Sequence, residues 1–182
     1  DGANIGSTSA TATGTLPSTM KPTLTSVSLI ENITDIATKF GTFIKNKTKL
    51  DYSYEYTLAT GSTISSYNLS IDNNIYTGSI GTTNVIRNSG TVSYSAYVVD
   101  SRGRKSNVIE GDIEVSNYNV PQISTFKVIR CLEDGTENNE GLFAKYTVNA
   151  SISSVNNKND KTFVIDYKKQ DEDTWTTLKT YT

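Results

Sequence analysis

Nine residues, Pro22 to Ile30 (PTLTSVSLI), return 99 positions later as Pro121 to Ile129 (PQISTFKVI), with proline, aliphatic and hydroxyl classes in the same places. A fixed period of about 100 residues matches one β-sandwich module and constrains the fold more than any local motif. It divides the 182 residues into a complete module at 20–118 and the N-terminal part of a second at 119–182, preceded by 1–19. A second copy of equal length would run on for roughly 35 residues past Thr182, so its later strands are expected outside the chain. Its apolar face would then be exposed and open to pairing. Ser7 to Thr15 (STSATATGT) has no core of its own and reads either as a linker or as the last strand of a preceding β-domain.

Serine and threonine make up about a quarter of the chain, tyrosine outnumbers phenylalanine eleven to five, and helix formers never recur at helical spacing. Leu50, Tyr52, Tyr54, Tyr56 and Leu58 alternate with Asp51, Ser53, Glu55 and Thr57, which predicts a half-buried strand. Tyr67, Leu69 and Ile71 predict another, turned by Asp72-Asn73-Asn74 into a short Ile75-Tyr76-Thr77. Val85-Ile86, then Val92 to Val98, and Ile109 to Val115 complete about seven strands, with Gly103 supplying the positive φ of the turn Asp100 to Arg104. In the second copy, Leu142 to Ile152 and Phe163 to Tyr167 flank an asparagine-rich turn, and Trp175, Leu178 and Tyr181 mark one more edge strand. The apolar phase slips between Leu24 and Val27 and between Ile123 and Phe126, predicting a bulge in each opening strand. The expectation is an all-β chain without helix: tandem immunoglobulin-like β-sandwiches, the second incomplete.

Chemistry is limited by what is missing. The chain has no histidine, which excludes Ser-His pairs, histidine bases and His-ligated zinc. Its single cysteine, Cys131, excludes an internal disulfide, and its apolar surroundings (VIRCL) make it a small core residue rather than a nucleophile. Core packing must therefore suffice, which suits assembly in a reducing compartment even for a protein that later works outside. Glu133, Asp134, Glu137 and Glu140 crowd one loop and offer hard oxygens to calcium, but their order is not that of an EF-hand, and a solvated turn is the simpler reading. The same residues lack the cleft that a glycosidase pair needs. Arg102 and Arg104 read as a charged hairpin tip before an acidic-ligand site. Tyr167, Trp175 and Tyr181 could stack on sugars, yet core packing is the leading reading.

A net charge of −2 without long basic runs gives nothing to hold nucleic acid or an anionic bilayer, and no apolar run is long enough to cross a membrane. Four N-x-S/T sequons, at Asn32, Asn46, Asn68 and Asn149, are what chance supplies in so asparagine-rich and hydroxyl-rich a chain.

Tyr97 to Arg104 (YVVDSRGR), Pro121 to Ser124 (PQIS) and Arg130 to Thr136 (RCLEDGT), extended by Glu140-Gly141 and Asn156 to Asn159 (NNKN), together resemble repeat modules of siphophage tail structural proteins from phages of Gram-positive hosts, of streptococcal type. Ser9 to Pro17 is similar to the strand that closes a preceding β-domain in those proteins. The resemblance implies a non-enzymatic virion component of the tail tip, baseplate or fibre. In that role a modular spacer contributes to host attachment, acting extracellularly at the host surface. It implies other tail or baseplate subunits as partners, a homo-oligomer with trimers favoured, and contact with host cell-wall polysaccharide. No catalytic, cofactor-binding or metal-binding residue comes with it. Two alternatives stand beside it: a cell-wall-anchored bacterial adhesin or stalk of similar repeats, and a binding module of a cell-wall hydrolase.

Overall fold

The computed structural model describes Gly2 and residues 6–15, 17–33 and 35–182. Among these, twelve strands carry the fold: β1 Thr23–Glu31, β2 Phe43–Ile44, β3 Leu50–Thr57, β4 Ile64–Ile71, β5 Asn74–Tyr76, β6 Ile80–Thr82, β7 Gly90–Asp100, β8 Ile109–Ser116, β9 Gln122–Cys131, β10 Phe143–Ser151, β11 Phe163–Tyr167 and β12 Thr176–Tyr181. They assemble as a three-stranded sheet β1-β3-β6, a five-stranded sheet β2-β8-β7-β4-β5, and the two-stranded sheets β9-β10 and β11-β12. The chain is all-β, as its composition requires. Strands β1 and β9 begin one residue after Pro22 and Pro121, in the same place within the repeat.

By internal packing the chain gathers into two compact units, one of residues 1–28, 52–81 and 94–111, the other of 29–51, 82–93 and 112–182. In the first unit, alternation along β3 sets Tyr52, Tyr54 and Tyr56 on one face. Tyr52 meets Tyr76 of β5 with ring centroids 5.6 Å apart, and Tyr54 and Tyr56 meet Tyr67 of β4 at 5.2 and 6.0 Å. These rings bring a face of the three-stranded sheet onto the five-stranded one, the contact that defines a sandwich. The Tyr56 and Tyr67 hydroxyls lie 3.0 Å apart, and that hydrogen bond, helped by burial, pushes the Tyr67 phenol up to about 12. Leu24, Leu69, Ile71, Ala96 and Val98 complete the core. Asp72 and Asn73 both take positive φ in the β4–β5 turn, as their residue types predict.

The second unit contains the element that periodicity misses. Residues Ile36–Phe40 form α1, in place of the expected absence of helix, with a 3₁₀ turn also at Ser18–Met20. One and a half turns cannot display a helical period, and an isolated helix so short is unstable without outside partners. Here Glu31 supplies one: its carboxylate accepts the Ala37 N–H at 2.6 Å and, through its other oxygen, the hydroxyl of the fully buried Thr48 at 3.0 Å. Gly41, at φ 70°, closes the far end by donating to the Ala37 carbonyl. Val85-Ile86 is not a strand. Ile86 instead donates to the Thr48 carbonyl and accepts from Asn46, while β2 and β6 supply short strands that the sequence pattern does not reveal.

In the same unit, β9 and β10 pair antiparallel from Phe143↔Cys131 to Ser151↔Gln122. Asn149 faces Thr125 and Ala150 faces Ile123, leaving Ser124 as the extra residue of a bulge where the phase slip predicts one. A second irregularity, between Ile165 and Asp166, leaves Leu178 unmatched in β12. Asn156 and Asn157 both take positive φ in the expected turn. Leu58 lies beyond the end of β3 and is exposed rather than inward-facing. Residues 7–15 are exposed and in no strand, and the parts of the 1–19 reading that concern residues 1, 3–5 and 16 lie outside the described residues.

Candidate functional site

The two turns that carry the most distinctive sequence are stitched from within. Asp100 ends β7 fully buried, and its carboxylate accepts the N–H groups of Arg102 (3.0 Å) and Arg104 (2.8 Å) through Oδ1 and the Arg104 guanidinium (3.1 and 2.8 Å) through Oδ2. Burial opposes its charge, but these donors outweigh that cost and hold its carboxyl below the ordinary carboxylate value. Gly103 has φ 76°, a left-handed conformation that an L side chain adopts only with strain. Arg102 reaches back to the Thr60 carbonyl at 3.1 Å. Of the arginines read as a charged tip, Arg104 is thus an internal clamp.

The loop between β9 and β10 is built in the same manner. Arg130 Nε donates to the Gly141 carbonyl at 2.6 Å, Asp134 accepts the Thr136 N–H, and Asn138 accepts the Glu140 N–H, both at 2.8 Å. Gly141 lies so close to Cys131 that a Cβ there would stand 2.1 Å from the Cys131 carbonyl oxygen. Cys131 is buried, as its apolar context predicts. Glu133, Asp134, Glu137 and Glu140 are all exposed. Among the described residues no cluster of three carboxylate or thiol side chains is placed to hold a metal ion. The Asp134 carboxyl is held below its ordinary value, chiefly by the Thr136 N–H.

The aromatic reading is corrected. Tyr167, Trp175 and Tyr181 are 48, 65 and 45% exposed, so none is a core residue here. Tyr181 shares a 3.4 Å hydroxyl contact with Tyr146, and the Lys168 ammonium lies 5.5 Å from the Trp175 ring centroid. The sheets β9-β10 and β11-β12 enclose an apolar cleft of about 280 Å³, with Phe126, Val128, Tyr146, Ile165, Tyr167 and Leu178 on its walls. Phe126, Val128 and Leu178 stay at least half exposed.

A second assembly in this unit joins the β8–β9 connection to the asparagine-rich turn and to α1. Ser153 exchanges hydrogen bonds with Asn119, accepting its N–H at 2.8 Å and donating to its carbonyl at 2.9 Å. Asn156 donates to the Phe40 carbonyl at the end of α1 at 3.2 Å. Lys47 lies 5.6 Å from the Tyr118 ring centroid, a cation–π distance. Val155 is 2% exposed, and with Ile36, Phe40, Ile44, Tyr118 and Pro121 it lines a cavity of about 360 Å³. Asn159 stiffens the turn that presents it, accepting the Val155 N–H at 2.8 Å and donating to the Ser153 carbonyl at 2.9 Å. Sequence reading missed this joint. Its one signal is a lone valine in an otherwise polar loop.

Among the described residues no helix is long and apolar enough to cross a membrane. A family model described as "Siphovirus protein of unknown function (DUF859)" matches residues 1–180. No curated protein and no solved structure matches the chain.

Proposed function

Because the chain belongs to this siphovirus family, we propose that it is a non-enzymatic structural component of the virion tail. In this reading, immunoglobulin-like modules joined in series form a spacer within the fibre, baseplate or receptor-binding apparatus. The observation that carries the reading is the joint around Val155, where hydrogen bonds, a cation–π contact and a buried apolar side chain tie the start of the second repeat copy to α1 and Tyr118. A spacer needs such joints, since a flexible linker contracts toward the square root of its length whereas a stiff one keeps its reach. The two turn motifs support the same reading, because Asp100, Arg104, Arg130 and Asp134 are engaged in holding the turns together. Its partners are other tail or baseplate subunits and further copies of itself, as a trimer. At the host surface it contributes to attachment through cell-wall polysaccharide.

Mass spectrometry of purified particles and immunogold labelling with antibody against residues 1–182 test the reading. The chain is expected in the virion with label on the tail, and the antibody is expected to slow adsorption. Particles free of the chain would refute a structural role.

A further inference from the structure

The connection that follows the opening strand has opposite charge in the two repeat copies. Between β1 and β3, residues 36–50 carry Lys39, Lys45, Lys47 and Lys49 and no carboxylate. Between β9 and β10, residues 132–142 carry Glu133, Asp134, Glu137 and Glu140 and no base. All four carboxylates are exposed, and the loop that bears them is held in shape by its own hydrogen bonds. At its end Leu142 stands 91% exposed, an apolar knob on an acidic loop.

The basic connection borders the cavity of about 360 Å³ beside Val155, whose apolar walls include Ile36, Phe40 and Ile44. Lys47 lines it, and the Lys39 ammonium lies 5.5 Å from the Phe40 ring centroid. Lys158 is so near Gly41 that a Cβ there would stand 3.0 Å from its nitrogen. Asp160 also lines the cavity, which leaves three ammonium groups against one carboxylate. Cavity and knob therefore complement each other in both charge and polarity. They cannot meet within one chain. Pro121, Ile152 and Ser153 place the cavity at the Gln122↔Ser151 end of the β9–β10 ladder, whereas the acidic loop joins the Cys131↔Phe143 end, roughly 30 Å away along a ten-residue strand.

We infer that copies of this chain associate head to tail, the acidic β9–β10 loop of one copy entering the cavity of the next with Leu142 between its apolar walls and its carboxylates against Lys39, Lys47 and Lys158. The inference rests on the reading that further copies of the chain are partners, and it names the surfaces by which they meet. Such a contact is heterologous: each copy offers its loop to one neighbour and its cavity to another, so the assembly closes as a ring or continues as a filament.

The test is sedimentation of residues 1–182 at rising concentration, in low and high salt. The chain is expected to associate, and salt to weaken the association. Leu142→Ser is expected to weaken it by roughly tenfold. One variant reverses the loop (Glu137→Lys with Glu140→Lys) and another reverses the cavity (Lys47→Glu with Lys158→Glu). Each alone is expected to lose self-association, and mixing the two is expected to restore it, which also shows that both have folded. A mixture that stays as monomers overturns the inference. Association that survives both reversals overturns it too, while leaving self-association itself in place. A chain that is monomeric in low salt at every concentration overturns the inference together with the reading of further copies as partners; labelling of the particles judges the tail location separately.

Discussion

Asp100 illustrates how a polar residue can belong to the core. A carboxylate without solvent contact is tolerated only with full compensation, and here two backbone N–H groups and a guanidinium provide it. Because its folded pKa lies below the ordinary value of 3.8, the stability that Asp100 contributes is fully present above that value. It is lost as the pH falls through the lower folded pKa. Asp100→Asn is therefore expected to lower the melting temperature at neutral pH, with the gap from the parent narrowing in acid; thermal melts from pH 7 down to 2 would show it, and a gap of constant size would count against the clamp. Tyr67 titrates in the opposite sense. With its phenol raised to about 12 by the Tyr56 hydrogen bond and burial, its contribution persists below the ordinary tyrosine value of 10.0 and fades as the pH rises through about 12.

Among the elements, strands and turns with local signatures were legible in the sequence. Strict alternation announced β3, and paired asparagine or aspartate with positive φ announced the turns after β4 and before β11. The bulge at Ser124 was visible as a slip of phase, because a one-residue offset moves every later side chain to the other face. Illegible were the features that depend on a distant partner: α1 through Glu31 and Thr48, the depth of Asp100, and the socket for Val155. An exposed apolar face in 119–182 was expected, but that Tyr167, Trp175 and Tyr181 are among its exposed residues was hidden, since alternation marks an apolar face without telling what covers it. Gly103→Ala places a Cβ in left-handed backbone with open space around it and is expected to cost about 1–2 kcal/mol in urea titrations. Gly141→Ala is a harsher change, because the obstructing atom is backbone. It should open the β9–β10 loop and make the Cys131 thiol react measurably faster with a disulfide reagent.

For the whole molecule, the contacts around Val155 hold the β8–β9 connection, the asparagine-rich turn and α1 together within one compact unit. Val155→Ser would give up about 1.5–3 kcal/mol of burial, and combined with Asn156→Ala it should expose residues 117–120 to limited proteolysis while leaving the Asp100 turn protected. Unchanged cleavage in the double variant would mean that the joint does not depend on these contacts. The unmatched Ser124 has a mechanical corollary for any chain that bears load. A uniform ladder can creep by two residues under tension and re-form each bond, whereas a ladder with one unmatched residue finds no second register in which all the others fit. Pulled from its ends, the β9–β10 ladder would hold or part, with no slippage in between.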